Sequence, residues 1–227
     1  MELKVIAHIH TDMPEKFGLP RQSGLVKGLY GYIRFEPEFN DPEALRGIEG
    51  YDYLWLLWGF DVKENQTFKA TVRPPRLGGN ERMGVFATRS PFRPNRIGLS
   101  SVKLEGIEFT GEGPVICVSG IDMRDDTPIY DIKPYLSYTD SHEGARSGFS
   151  DEVNRDTLLI DFPTGMLDII PADKQAALIE VLKQDPRPSY IEDADREYGL
   201  CFAGYNIRFK VLKDILTVTD IRQEGQG

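Results

Sequence analysis

Cysteine, histidine and long apolar runs are scarce in this chain, and each shortage removes a class of protein. Its 227 residues include two cysteines, Cys117 and Cys201, far apart and without CxxC or CxxH spacing. That excludes a disulfide scaffold and a zinc ribbon, and it fits a reducing compartment where a thiol serves as a small buried apolar group. The longest apolar run, Tyr53 to Phe60, falls far short of the roughly 20 residues that a membrane-spanning helix needs. The start, MELKVIAHIH, lacks the basic, apolar and small-residue succession of an export signal, so the cytoplasm is the expected location. Three histidines occur. His8, His10 and Asp12 have the HxH spacing of metal-dependent hydrolases, but a catalytic metal needs about three protein ligands with supporting partners. The remaining histidine, His142, lies in a polar stretch, so His8 and His10 are expected on the outward face of a first strand and no metal is expected.

Glycine-rich nucleotide loops are also missing. Gly111 and Gly113 form a GxG without a third glycine, and Pro114 then begins a strand in place of a helix. No GxxxxGK[ST] occurs. P-loop enzymes are therefore excluded, and so are methyltransferases of the Rossmann type, which hold their cofactor at a strand-to-helix turn.

Positive charge is short overall but concentrated. The net charge of −9 argues against a polyanionic partner. Between Lys69 and Lys103, however, eight basic residues face one acid, Glu81, for a net +7, which leaves −16 on the remainder. A cationic segment on an acidic body docks an anion locally while the rest of the surface limits non-specific adhesion.

Strand-like alternation runs through residues 3 to 10, with Leu3, Val5, Ala7 and Ile9 on one side. Similar runs occupy Gly31 to Phe35, Tyr53 to Phe60, Lys69 to Arg73, Met83 to Thr88, Leu99 to Phe109, Val115 to Ser119 and Ile129 to Lys133. They are short and separated by Gly, Pro and Asp turns, with no long amphipathic helix between them, so an antiparallel barrel or sandwich is expected. One short helix is expected at Pro42 to Ile48, capped by Asn40 or Asp41. The polar, Gly-rich stretch after Tyr138 reads as a linker over residues 139–152. Beyond it, residues 153–227 are expected to form a small α+β domain. Its parts are a strand at Thr157 to Phe162, a helix from Pro171 burying Leu178, Val181 and Leu182, and a hairpin of Phe202 to Val211 with Ile215 to Thr219. No internal repeat or low-complexity tract is present.

The run from Thr71 to Ser101 carries the strongest chemical signal. Pro74, Pro75, Pro91, Pro94 and its glycines fix an irregular backbone from which Arg73, Arg76, Arg82, Arg89, Arg93 and Arg96 project. Stiff loops presenting guanidinium forks suit anionic ligands, because paired oxygens are met at once with little entropy lost. Composition alone leaves an arginine-rich structural loop equally open.

RPPRLGGNERMGVFATRSPFRPNRIG resembles the signature of the TsaA-like tRNA methyltransferases. The likeness extends through FGLPRQSGL (17 to 25), GIEGYDYLWLLWGFD (47 to 61), DDTPIYDIKPY (125 to 135) and DPRPSY (185 to 190), nearly the whole chain. The resemblance implies a mainly β protein whose residues 1–138 form an antiparallel barrel binding S-adenosylmethionine, assembled as a homodimer. It implies methylation of N6 of threonylcarbamoyl-adenosine beside the anticodon of threonine tRNA. It also implies cofactor contacts at Pro20, Arg21, Gln22, Asp61, Val62, Arg89, Leu99, Arg124, Asp125, Asp126 and Thr127. Asp131 and Tyr135 are candidates for a general base, with a strand-end carboxylate and a core aromatic as their structural alternatives. Arg93, Arg96, Lys133 and Arg187 are expected to contact RNA. Asp126 stands where the family usually has glycine and Arg96 where it has proline, so Asp126 is expected to tolerate a left-handed backbone. The rival reading is a non-enzymatic RNA-binding barrel using the same basic segment.

Overall fold

The computed structural model describes residues 2–61, 67–74, 81–151, 157–187 and 193–225. Six strands close into an antiparallel barrel: β1 (Ala7–Thr11), β2 (Tyr30–Phe35), β3 (Tyr53–Gly59), β6 (Ile97–Thr110), β7 (Gly113–Ser119) and β8 (Thr127–Pro134), in the order β1-β2-β7-β6-β3-β8. Closure comes from β8, which pairs with β3 (Leu56 opposite Ile132) and with β1 (Ala7 opposite Ile129) and so leaves the sheet no free edge. Period-two alternation sets the inward face. Ala7 and Ile9 of β1, Ile33 of β2, Leu54 and Leu56 of β3 and Ile129 of β8 are buried. Two shorter strands, β4 (Thr71–Val72) and β5 (Met83–Gly84), make a separate ribbon.

Local departures have local causes. β1 starts at Ala7 rather than residue 3, although the Ile6 N–H already donates to the Ile129 carbonyl at 2.9 Å. In place of the expected helix at Pro42 to Ile48 there are two 3-10 turns, Pro42–Leu45 and Ile48–Gly50. Asp41 does cap the first through the Glu43 N–H at 2.9 Å, but Gly47 between them sits at φ 90° and breaks the spiral. Strand character ends at Gly84, where a 3-10 turn over Val85–Ala87 buries Val85 and turns Phe86 outward.

A second sheet lies in the C-terminal part, in the order β10-β11-β12-β9, from β9 (Leu159–Asp161), β10 (Tyr198–Phe202), β11 (Tyr205–Leu212) and β12 (Ile215–Gln223). Residues Tyr198–Phe202 form a strand of their own, because Ala203 and Gly204 at φ 51° and 78° turn the chain back tightly onto β11. Among the described residues the single longer helix, α2 (Ala172–Lys183), follows the four-residue α1 (Ser137–Asp140) in chain order. It buries Ala177, Leu178, Val181 and Leu182, the face that i, i+1, i+4 and i+5 spacing places on one side. Among the described residues no helix is long and apolar enough to cross a membrane. Burial pushes the thiols of Cys117 and Cys201 up to about 11 and about 12, so both stay protonated near neutrality.

The connection between β1 and β2, residues 12–29, is held between the barrel and the second sheet. Phe17 stacks on Tyr198 at 6.4 Å between centroids, the Ala203 N–H donates to the Asp12 carbonyl at 2.8 Å, and Lys174 of α2 meets Asp12 Oδ2 at 2.5 Å. The buried apolar side chains of the two sheets form one continuous cluster. Burial acts to lower the Lys174 pKa, but its hydrogen bond to Asp12 and the charges of Asp12 and Asp173 outweigh that, so the value is raised above 10.5. The folded chain therefore holds the Lys174 proton more tightly than the unfolded chain does. This stabilisation is complete below pH 10.5 and is lost as pH rises through the higher folded value. Urea titrations between pH 9 and 12 should show a fall in stability for the parent that is shallower in Lys174→Met; parallel profiles would refute the linkage.

Candidate functional site

The site forms at the barrel end where β3 leaves the sheet and β6 and β8 enter it. A cleft of about 640 Å³ opens there. Residues 16–22, held down by the second sheet, supply one wall, and Thr88, Arg89, Pro91 and Arg93 of the loop before β6 supply another. Trp58 to Asp61, Ile97 to Leu99 and Asp122 to Arg124 complete it, with Thr127 at the start of β8.

Its floor is aromatic. Trp58 and Phe60 lie 4.3 Å apart between ring centroids. The indole reaches this position because Gly98 leaves room beneath it: a Cβ on Gly98 would sit 2.2 Å from the Trp58 ring. The Trp58 Nε1–H donates to Ser100 Oγ at 3.0 Å, and the Ser100 hydroxyl donates in turn to Asp122 Oδ1 at 2.6 Å. Burial pushes the Asp122 carboxyl above its ordinary range, opposed by the Ser100 hydroxyl, the Ser23 backbone N–H and the charge of Arg89. Asp122 thus ties the floor to the 16–23 loop.

Cations ring the opening. Arg89 donates through Nη1 to the Gln22 side-chain oxygen, and Lys16 donates to the Asp61 carbonyl. Arg124 Nη2 lies 3.4 Å from Asp61 Oδ2. The Arg124 Nε is buried and has no hydrogen-bond acceptor among the described residues. A buried guanidinium N–H without an acceptor is costly, and a ligand oxygen would satisfy it. The arrangement suits a ligand with an apolar or aromatic part, an anionic end and hydroxyls, since Asp61 and Gln22 supply acceptors near the arginines.

Of the residues singled out by resemblance, Pro20, Arg21, Gln22, Asp61, Arg89, Leu99, Arg124 and Thr127 come together in this cleft from six separate stretches of chain. Val62 and Arg76 lie outside the described residues, as does Pro188 to Tyr190 of the DPRPSY motif. Asp125 and Asp126 do not line the cleft. Asp125 Oδ1 accepts the Thr11 N–H at 2.9 Å, and Asp126, exposed at φ 61°, donates its N–H to the Ile9 carbonyl at 2.9 Å. Asp126 thus takes the left-handed backbone expected of it, and the pair shapes the turn into β8.

Asp131 and Tyr135 do not line the cleft. Asp131 pairs with Lys133 at 2.8 Å. Tyr135 packs against Tyr53 and Trp55 at 6.1 and 5.7 Å, roughly 26 Å along the strand direction from Thr127 at ~3.3 Å per residue. Arg93 lines the cleft, but its Nη1 donates to the carbonyls of Val85 and Thr88 at 3.2 and 2.6 Å, so it also staples its loop. Arg96 is half-buried, and its carbonyl accepts the Phe60 N–H at 3.0 Å. Arg187 forks onto Asp185 at 2.8 and 2.9 Å, and the Asp185 carbonyl accepts from Arg21 at 3.3 Å. That chain of contacts links the C-terminal part to the cleft wall.

Lys16, Trp58, Phe60 and Asp122 belong to the site and were not singled out from the sequence. An aromatic strand end reads as core, and an aspartate before a strand reads as a turn. The histidines are engaged elsewhere: His8 Nδ1 lies 2.9 Å from Glu36 and His10 Nδ1 3.3 Å from Asp125. Among the described residues no three His, Cys, Asp or Glu side chains form a group suited to a metal.

Residues 8–141 match the family model described as the tRNA-methyltransferase O N-terminal domain, and residues 168–224 the one described as the TrmO C-terminal domain. The tRNA (adenine(37)-N6)-methyltransferase of Escherichia coli strain K12 is 37% identical over 218 residues, covering 92% of this chain and 93% of that protein. The putative S-adenosylmethionine-dependent methyltransferase RcsF of Pseudomonas aeruginosa is 38% identical over 227 residues, 95% of each chain. A crystal structure of TrmO from P. aeruginosa superimposes with a TM-score of 0.80 at 31% identity, covering 98% of this chain and 97% of that one.

Proposed function

The chain belongs to the tRNA-methyltransferase O family, and from that premise we propose that it methylates N6 of adenosine 37 in tRNA at the expense of S-adenosylmethionine. The observation that carries this reading is the cleft, which gathers Pro20 to Gln22, Asp61, Arg89 and Arg124 around an aromatic floor.

The residues present fit the methyl donor. Trp58, Phe60 and Leu99 offer apolar surface to a purine and a thioether chain, Asp61 and Gln22 accept from ribose hydroxyls, and Arg124 with its unsatisfied Nε meets a carboxylate. When bound, S-adenosylmethionine supplies a methyl already activated on a sulfonium, so catalysis rests on alignment at attack distance and needs no metal. The chain's part is to fix that alignment: the stapled 85–93 loop and the clamped 16–23 loop hold opposing walls with little freedom to lose. The acceptor nitrogen is a urea-type N–H, because the adenosine carries a threonylcarbamoyl group and the tRNA is the threonine acceptor. Its proton passes to a base or water as the nitrogen–carbon bond forms and the carbon–sulfur bond breaks. Anticodon-loop bases are unpaired and reach the cleft without a duplex being opened.

In this reading residues 1–138 hold the methyl donor, and residues 153–227 position the 16–23 loop and extend the RNA surface through Arg187, with residues 139–152 between them. The enzyme works as a homodimer in the cytoplasm.

Purified protein should bind S-adenosylmethionine in calorimetry and, with unmethylated tRNA, yield a methylated threonylcarbamoyl-adenosine detectable by nucleoside mass spectrometry. A well-folded protein that binds tRNA with strong salt dependence but neither binds the donor nor transfers methyl would replace this reading with that of an RNA-binding barrel.

A further inference from the structure

Phe86 is 70% exposed and Phe68 is 50% exposed. Single exposed aromatics are common, and Phe109 is exposed to 69%. What separates the two kinds is their setting. Phe109 lies between Glu108 and Glu112, whereas Phe68 and Phe86 stack on each other, with centroids 6.3 Å apart and planes 30° from parallel. The Arg93 guanidinium stands 5.5 Å from the Phe86 ring, and Lys69 Nζ stands 4.4 Å over the neighbouring Phe92. This is the cationic stretch of an otherwise acidic chain.

The rings are also held firmly. Val85 is buried and anchors the 3-10 turn, and its N–H donates to the Ala70 carbonyl at 3.0 Å. Its carbonyl accepts from the Thr88 N–H, the Thr88 hydroxyl and Arg93 at 3.2, 2.9 and 3.2 Å. The Lys69 N–H donates to the Phe92 carbonyl at 3.2 Å, which fixes Phe68 beside this turn. A turn so constrained cannot fold Phe86 inward to hide it. Thr88, two residues on, already lines the cleft, so the Phe86 Cα stands within about 7 Å of the Thr88 Cα at the cleft wall, at ~3.3–3.6 Å per residue.

We infer that Phe68 and Phe86, backed by Arg93, form a stacking platform at the cleft mouth for an unpaired nucleobase adjoining the one that is methylated. Every base has a π-face, and aromatic rings interleaved with cations bind single-stranded RNA by stacking and by phosphate neutralisation together. The local positive charge selects a polyanion over an apolar protein surface. The inference rests on the tRNA methyltransferase reading and adds to it the means by which one strand of the loop is splayed.

The test uses the full chain carrying Phe86→Ala, Phe68→Ala with Phe86→Ala, and Phe86→Trp. Both side chains are exposed, so the variants should fold as the parent does, and thermal unfolding checks that they do. Stacking contributes roughly 1–3 kcal/mol per base, so the double variant should raise KM for tRNA about 5- to 150-fold with donor binding by calorimetry unchanged. Phe86→Trp should restore the parental KM. An unaltered KM in the double variant overturns the platform while methylation itself stands. Conversion of an oligomer to monomers in sedimentation equilibrium overturns it too, because the rings would then cover a second copy of the chain. Failure of the underlying reading looks different: the parent protein itself transfers no methyl group to tRNA, and the platform falls with it.

Discussion

Gly98→Ala is expected to lower stability and abolish donor binding together. The added Cβ would meet the Trp58 indole at 2.2, 2.5 and 2.5 Å, inside any real contact distance. The ring cannot swing aside freely, because its Nε1–H is held by Ser100, which Asp122 holds in turn, and Phe60 packs against it. Ser100 is itself buried. Overpacking at such a site costs about 1–3 kcal/mol, sometimes more. For a chain of this length that is a fall in unfolding midpoint of roughly 2–12 °C. Relief comes only by moving the indole or parting β3 from β6, where Trp58 and Gly98 face each other in register. Either movement deforms the floor of the cleft. Calorimetry should detect no donor binding by folded Gly98→Ala at concentrations that saturate the parent. Parental affinity would show that Trp58 is not part of the binding surface.

Arg124→Ala is expected to separate binding from stability. Its guanidinium reaches the cleft with Nη2 3.4 Å from Asp61, while Nε is buried without an acceptor among the described residues. Deleting the side chain removes an unsatisfied donor as well as a half-exposed ion pair, so the unfolding free energy should change by less than ~1 kcal/mol. A hydrogen bond to a charged ligand group contributes about 1.5–3 kcal/mol, so the dissociation constant for S-adenosylmethionine should rise about 10- to 150-fold. Arg124→Lys retains the charge but not the planar fork and should recover only part of that loss. Sinefungin or another analogue that keeps the amino-acid end should show the same ratio. If an analogue lacking the carboxylate is weakened as much as the donor itself, Arg124 does not read that group.

The readable part of the fold was what repeats locally. Alternation in Ala7 to Ile9, Gly31 to Phe35 and Tyr53 to Gly59 showed itself because one face of each strand is buried. Where chain geometry breaks within a few residues the pattern misled. Val85 and Phe86 look like strand residues, but Gly84 leads into a 3-10 turn that points one in and the other out. The hairpin at Ala203-Gly204 was hidden because alanine rarely takes a positive φ, and here the strand pairing on both sides holds it there. In the site, residues on the basic segment are legible through the resemblance to the family, since charge and spacing alone leave a structural loop equally open. Asp122 was not: its distinction is burial against Ser100 and the Ser23 N–H, which no local pattern announces.

By itself the sequence determined the strand-rich class, the concentration of cations on an acidic chain and the motifs of the family, because each is a property of neighbouring residues. Only the tertiary structure decided which of those motif residues share a cleft. Pro20 to Gln22, Asp61, Arg89 and Arg124 are brought together by barrel closure through β8 and by the second sheet pressing the 16–23 loop onto the barrel end. The same closure set Asp125 and Asp126 to shaping a turn and carried Tyr135 to the far end of its strand. Pairing across a closed sheet is a long-range choice, made by the burial of many side chains at once, and spacing along the chain does not encode it.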